Sequence, residues 1–234
     1  MAIILNLETA TQICSVVLAK SGEILAKREL NEKNVHAEVL TPFIQEVIAE
    51  ASIKLQDLDA IAVSKGPGSY TGLRISVSTA KGLCYSLDKP LISIGTLESL
   101  AHYAAQKLKN TLTSKHQIYP MIDARRMEVY TAPFSSDLQQ ISPVTPLIFD
   151  ENTFSDIPQD QKLIFVGDGS RKTKELFADN EQIEIHDDIL CSAEGMMKIA
   201  EEKFINQDFE DVAYFEPFYL KEFIAGIPKV KGLK

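Results

Sequence analysis

Residues 3–30 read IILNLETATQICSVVLAKSGEILAKREL, and their patterning decides the fold. Three β-rich runs, at 3–7, 13–19 and 24–30, are separated by short turns, the second carrying Ser21 and Gly22. Runs this short, rich in β-branched residues and punctuated by turn residues, predict a three-stranded antiparallel meander. Beyond it, Val35, Val39, Leu40, Phe43, Ile44, Val47, Ile48 and Ala51 recur at the spacing of one broad helical stripe. Pro42, inside that stripe, predicts a bend or a shifted start.

The next stretch alternates strand and helix: a buried strand at 59–64, a glycine-rich turn at 66–72, a helix at 73–87, a strand at 91–94 and a helix from 96 to about 108. A meander followed by such alternation predicts a mixed sheet with helices packed on it, completing a first lobe over residues 1–109. The polar run 110–115 is the expected crossing to a second, reduced lobe over 110–234, which includes the C-terminal segment. Its opening strands, 117–122 and 127–134, are joined by Asp123, Ala124, Arg125 and Arg126. Pro133, Pro143, Pro146 and Pro158 predict a loop-rich middle, before a strand at 163–166 runs into Gly167, Asp168, Gly169 and a helix; the last helix is expected at 191–204.

With 234 residues, 45% of them hydrophobic and 24% charged, the chain has the composition of an ordinary globular protein rather than a disordered or fibrous one. A net charge of -9 argues against an extended basic surface, and Lys229, Lys231 and Lys234 are too few to reverse it, so a stand-alone nucleic-acid binder is disfavoured. No stretch approaches the roughly 20 apolar residues of a membrane span, and the expected address is the cytoplasm. Cys14, Cys84 and Cys191 lack CxxC spacing and predict buried or unpaired thiols, while His36, His102, His116 and His186 form no metal-ligand pattern.

Three turns carry candidate chemistry. The β-turn Glu8, Thr9, Ala10, Thr11 offers an acid and hydroxyls of the kind that reach toward phosphate and magnesium in actin-like nucleotide-binding folds; an ordinary polar hairpin turn accounts for the same residues. Gly66, Pro67, Gly68, Ser69, Tyr70, Thr71, Gly72 form a strand-to-helix turn able to cradle an anion, yet without the Lys of a P-loop, and chain geometry is the favoured reason for its glycines. Gly167, Asp168, Gly169 follow a strand as a nucleotide-contact turn would, a weak signal. Asp123, Arg125, Arg126, Glu128 and Tyr130 make a dense polar group whose simplest account is a surface ion-pair cluster.

The runs ILNLETAT, VHAEVLTPFIQEVI, KGPGSYTGLRISVSTAKGLCYSL, SIGTLESLA, MIDARRMEVY, VGDGS and EPFYLK occur in order across nearly the whole chain. Together they resemble the TsaB family, also called YeaZ. The resemblance implies an actin-like (ASKHA, ribonuclease H-like) α/β fold of two lobes. It also implies a non-catalytic role in forming threonylcarbamoyladenosine beside the tRNA anticodon, beside a TsaD-type catalytic paralogue and a TsaE-type ATPase. No resident cofactor is expected; with the acidic net charge, contact with tRNA is expected only through the complex, and the small-residue face of the helix at 73–87 predicts a homodimer when the chain is alone. In the paralogue a His-x-x-x-His metal pair stands where this chain has Thr96 and Leu100, neither of which ligates as imidazole does. No metal or nucleophile constellation for a glycoprotease is present in the sequence.

The expected pairing surface lies on the first two helices: Leu40 and Phe43 on one, and Leu73, Ser76, Val77, Thr79, Ala80, Gly82, Leu83 and Ser86 on the other, where small residues admit a partner helix closely. The same helices also cover their own sheet. The competing functional class is an ATP-dependent kinase or ATPase acting through Glu8, Thr9, Thr11 and the turn Gly167, Asp168, Gly169.

Overall fold

The meander stands as β1 (Ile3–Glu8), β2 (Ile13–Lys20) and β3 (Glu23–Asn31) in the computed structural model, which describes residues 2–150 and 152–221; Lys229, Lys231 and Lys234 lie outside the described residues. β1 and β2 are buried on both faces, which is why they read as almost unbroken apolar runs. Alternation sorts their side chains: Leu5, Leu7, Val16 and Leu18 face one core, Ile4, Val17 and Ala19 the other. Through α1 (His36–Glu50) the chain enters β4 (Ala60–Gly66), parallel to β1, and through α2 (Tyr70–Leu87) it enters β5 (Leu91–Gly95), giving the order β3-β2-β1-β4-β5. Both helices pack on the Leu5/Leu7 face through Leu40, Ile44, Val47, Val77, Ala80 and Cys84.

The second sheet repeats this connectivity. After α3 (Thr96–Lys107), β6 (His116–Asp123) is the central strand, with β7 (Glu128–Thr131), the short β8 (Phe134–Ser135) and β9 (Thr145–Ile148) forming its antiparallel side. β10 (Lys162–Val166) and β11 (Ile183–His186) lie parallel on the other side, in the order β11-β10-β6-β7-β9. Two sheets that each place a meander and two parallel strands around a central strand make an actin-like, two-lobed α/β fold.

The helices are exchanged between the lobes. α3 follows the first sheet in sequence, yet its Leu97, Leu100, Ala101 and Ala104 pack with Ile118, Ile122, Ile164 and Val166 of the second. α4 (Met197–Ile205) follows the second sheet and places Met197, Ile199 and Ala200 against Ile4, Ala62, Ile92 and Ile94 of the first. A polar network anchors its approach: the Ser192 hydroxyl donates to Glu29 at 2.6 Å, the Ala193 N–H donates to Ser15 Oγ at 3.1 Å, and Lys27 ion-pairs with Glu194 at 2.6 Å. The outer face of the second sheet, which no α-helix among the described residues covers, is packed by a cluster of Phe149, Phe154, Phe165 and Phe177, with neighbouring ring centroids 5.2–6.2 Å apart.

Several local expectations are corrected. Pro42 neither delays α1 nor ends it; the residue is exposed, so the missing amide falls on the solvent side. The expected strand 127–134 is broken after Thr131 and resumes as β8, because Pro133 cannot donate to a ladder. The expected helix after Gly169 is a 3-10 segment, Asp168–Thr173, and the last helix begins as the 3-10 turn Ala193–Met196 before α4. β9 and β11 are unanticipated strands of four residues each.

Because α3 belongs to one lobe by sequence and to the other by packing, damage to it is expected to reach both sheets. Leu100→Ala should cost about 3 kcal/mol, and amide exchange in β1 and β6 should accelerate together. Acceleration confined to the second sheet would show lobes that unfold separately.

Candidate functional site

The turn after β1 and the turn before α2 meet backbone to backbone. The Thr9 hydroxyl donates to the Gly72 carbonyl at 2.8 Å, and the Ser69 N–H donates to the Ala10 carbonyl at 2.7 Å. A Cβ on Gly72 would stand 2.1 Å from the Thr9 carbonyl oxygen, and one on Gly68 2.4 Å from that of Ala10. Both glycines therefore serve close chain approach. Ser69 then caps α2, its hydroxyl accepting from the Gly72 N–H.

This contact seals Glu8, which is 0% exposed. Its Oε1 accepts from the Ala10 N–H at 2.6 Å and the Ser64 hydroxyl at 2.9 Å, while Oε2 has no hydrogen-bond partner. Burial pushes its pKa from an ordinary 4.5 up to about 7, outweighing the lowering by those hydrogen bonds. Thr9 and Thr11 are buried beside it, and burial lifts the Cys191 thiol well above its usual range, with the Glu8 charge adding to the effect. Cys14, Cys84 and Cys191 are all free and buried.

A cavity of about 670 Å³ opens between the lobes, outside this sealed turn. The first lobe contributes residues 10–12, 33–34, 36–37, 67–72 and Ile75; the second contributes 122–125, Tyr130 and Asp168. The remaining wall comes from 218–221. That segment returns along the first lobe: Lys81 Nζ donates to the Ala213 and Phe215 carbonyls, the Phe218 N–H donates to the Lys65 carbonyl at 2.7 Å, and Tyr219 stacks on Tyr70 with centroids 4.7 Å apart. Lys221 then reaches the second lobe through an ion pair with Glu128. Of the expected cleft residues, Thr11 and Asp168 line this cavity; Glu8, Thr9, Gly167 and Gly169 do not. Gly167 has φ 96° and lies against the Met121 carbonyl, a geometric role.

The polar group at the β6–β7 turn resolves into a supported loop. Asp123 accepts from Lys172 Nζ at 2.6 Å and from the Arg125 N–H at 2.6 Å, and its own N–H donates to Asp168 at 3.0 Å. Burial raises the Asp168 pKa despite that hydrogen bond.

The second candidate surface lies on α1 and α2. Leu40, Leu73, Ser76, Val77 and Ala80 face the chain's own core and are unavailable to a partner, because α1 turns Leu40 onto β2 and α2 turns the other four onto β4. Val39 and Phe43 on α1, with Ile75, Thr79 and Leu83 on α2, form a half-buried, largely apolar seam where the two helices lie side by side. Gly82 and Ser86 are exposed along it, and Tyr85, unanticipated because it sits off the apolar stripe, is 86% exposed. Thr96 and Leu100 are buried at the start of α3, and burial lowers the pKa of the nearby His102. Among the described residues no group of three or more His, Cys, Asp or Glu is placed to hold a metal ion.

These features define an actin-like, two-lobed α/β protein with a sealed acidic turn and an exposed helix pair. A family model described as "TsaD: tRNA N6-adenosine threonylcarbamoyltransferase" matches residues 23–229. The tRNA threonylcarbamoyladenosine biosynthesis protein TsaB of Escherichia coli is 30% identical over 227 residues, 95% of this chain and 96% of that protein. TsaB of Bacillus subtilis is 30% identical over 179 residues, 75% of each. The structure of YeaZ from Pseudomonas aeruginosa superposes with a TM-score of 0.81 at 24% identity, covering 94% of this chain and all of that one. The ethanolamine utilization protein EutJ from Carboxydothermus hydrogenoformans shares the fold at a TM-score of 0.52 and 9% identity, over 82% of this chain and 88% of that one. The chain belongs to the TsaB (YeaZ) family.

Two outcomes follow from the sealed turn. Gly72→Ala should cost about 2 kcal/mol or more through its backbone collision, whereas Gly82→Ala, with open space at its Cβ, should gain about 1 kcal/mol in helix propensity; urea denaturation reads both. Glu8, protonated more readily when folded, withdraws stability as pH rises from about 4.5 to about 7, on the order of 3 kcal/mol at full effect. Glu8→Gln should remove that part of the slope, and identical pH profiles for the two proteins would contradict the burial of this carboxyl.

Proposed function

We propose that the chain acts in tRNA threonylcarbamoyladenosine biosynthesis as a non-catalytic pairing subunit, joining a TsaD-type catalytic paralogue and a TsaE-type ATPase. The observation that carries this reading is the α1/α2 seam, in which Val39, Phe43, Ile75, Thr79 and Leu83 are left half-covered by their own chain. A chain that itself matches the TsaD family model is expected to find the same helix pair on its paralogue. A surface able to pair with a second copy of itself is then matched to the paralogue as well, and homodimer and heterodimer compete for one seam. Tyr85 offers an exposed aromatic anchor, and Gly82 beside it has nothing within 4 Å of where a Cβ would stand.

The non-catalytic assignment is supported at α3. Where the paralogue's two histidines stand, this chain has Thr96 and Leu100, both buried, the latter in the apolar core of the second lobe. The competing ATPase reading requires Glu8 to meet a phosphate-bound magnesium, and that carboxyl is closed off beneath the 66–72 turn. With a net charge of -9, tRNA is engaged through the assembled complex. No helix among the described residues is long and apolar enough to cross a membrane, in keeping with cytoplasmic work.

Reconstitution with the paralogue, the ATPase, threonylcarbamoyl-adenylate and tRNA tests the assignment. Modification should require this chain, and Gly82→Arg, on an exposed helix face, should fold normally while losing both association and activity by about tenfold or more. Full modification without the chain, or unimpaired pairing by Gly82→Arg, would refute it.

A further inference from the structure

The inner face of the second sheet ends in an apolar ledge that the sheet's own edge strand leaves open. β9 is that strand, beyond β7, and Glu128 pairs with Ile148 and Tyr130 with Pro146, so alternation places these four side chains on one face. It is the face on which α3 packs, since Tyr130 lies against the α3 core while Val129 and Leu147 belong to the phenylalanine cluster behind. Pro146 is nevertheless exposed, and Ile148 is 67% exposed.

The chain itself is delivered to this ledge. Residues 208–221 are fastened along the first lobe: the Glu210 N–H donates to the Leu91 carbonyl at 2.9 Å, Val212 and Phe215 pack on the first core, and the Phe218 N–H donates to the Lys65 carbonyl at 2.7 Å. Lys221 then crosses to Glu128, the residue directly opposite Ile148. Opposite residues on one sheet face hold their Cβ atoms about 5 Å apart, and two further residues of extended chain span about 7 Å. Since residues i and i+2 of an extended run share a face, Phe223 follows Lys221 within reach of Ile148.

Charge patterning points the same way. Residues 127–161 hold Glu128, Asp137, Asp150, Glu151, Asp156 and Asp160 and no Lys or Arg, whereas residues 228–234 hold Lys229, Lys231 and Lys234 and no acid. We propose that residues 222–234, outside the described residues, dock on the second lobe, with Phe223 and Ile224 seated on the ledge of Pro146 and Ile148 and the three lysines drawn to the acidic stretch that follows β9. Tethering at Lys221 makes this docking intramolecular, so contacts too weak to hold a free peptide suffice to hold the tail. The strap then becomes a clasp, fixed on the first lobe by residues 210–219 and on the second by the residues after Lys221. The proposal does not depend on the pairing role, whose seam lies on α1 and α2.

Disulfide trapping in the full chain tests it, because Cys14, Cys84 and Cys191 are buried and leave introduced thiols as the reactive ones. Ile148→Cys combined with Phe223→Cys, or with Ile224→Cys, should close an intramolecular disulfide under mild air oxidation, read as a monomer that resists thiol alkylation until it is reduced. Ile205→Cys, at a position 70% exposed at the end of α4, combined with Phe223→Cys should stay open. In a second measurement, Phe223→Ser and Ile148→Ser should each speed amide exchange in β7 and β9 about threefold or more, and the double variant should be no faster than the faster single one. No disulfide in either Ile148→Cys pair, equal closure with Ile205→Cys, or additive exchange effects would overturn the proposal. So would covalent dimers in place of closed monomers, which would give the ledge to a second copy.

Discussion

Gly68 and Gly72 bring the 66–72 turn onto the carbonyls of Ala10 and Thr9, and hydrogen bonds from Thr9 and Ser69 close the contact. Much of the molecule depends on this approach. It removes Glu8 from solvent and leaves one carboxyl oxygen without a partner, an arrangement that favours the protonated acid. It also fixes the first residue of α2, since the capping Ser69 is the residue whose N–H is held by Ala10. A side chain at either glycine would separate the two turns and with them the axis of α2, which carries the seam on its flank and the cavity at its end.

The exchange of α3 and α4 supplies the second constraint. Each lobe completes a core with a helix donated by the other, and the Ser15–Glu29–Ser192 network pins the return of the chain to the first lobe. Lobes joined by a single linker move as hinged bodies; these are joined through two buried helix faces, and the strap of residues 208–221 spans the same boundary from Leu91 to Glu128. The cavity walls are accordingly held apart by packed cores on both sides rather than by a loop.

The first lobe is legible in the sequence because its signals are local. Ile3 through Leu30 alternate cleanly with turn residues, and α1 and α2 carry stripes long enough to establish their period. The second lobe is harder because its elements are short and its core is built from separated aromatics: Phe149, Phe154 and Phe177 meet only after the chain has folded, and four-residue strands such as β9, which contains Pro146, give no periodicity to count. Helix exchange is invisible for the same reason, since the apolar face of α3 does not encode which sheet it will cover. At the candidate sites the residue types are legible and their directions are not. Leu73, Val77 and Ala80 read as a stripe, but a stripe that could serve a partner or a core serves the core, and the exposed Tyr85 lies outside it.

α1 and α2 divide their surfaces among three tasks by geometry alone. One face of each is spent on the sheet, where burial of Leu40, Ile44, Val77 and Ala80 holds the helix in place. A second, formed by Phe43, Thr79 and Leu83, is left half-covered, and it is the face to which the proposed pairing is assigned. The N-terminal ends form neither face and are turned into the interlobe cavity. The seam and these ends thus belong to helices whose axes a single core sets.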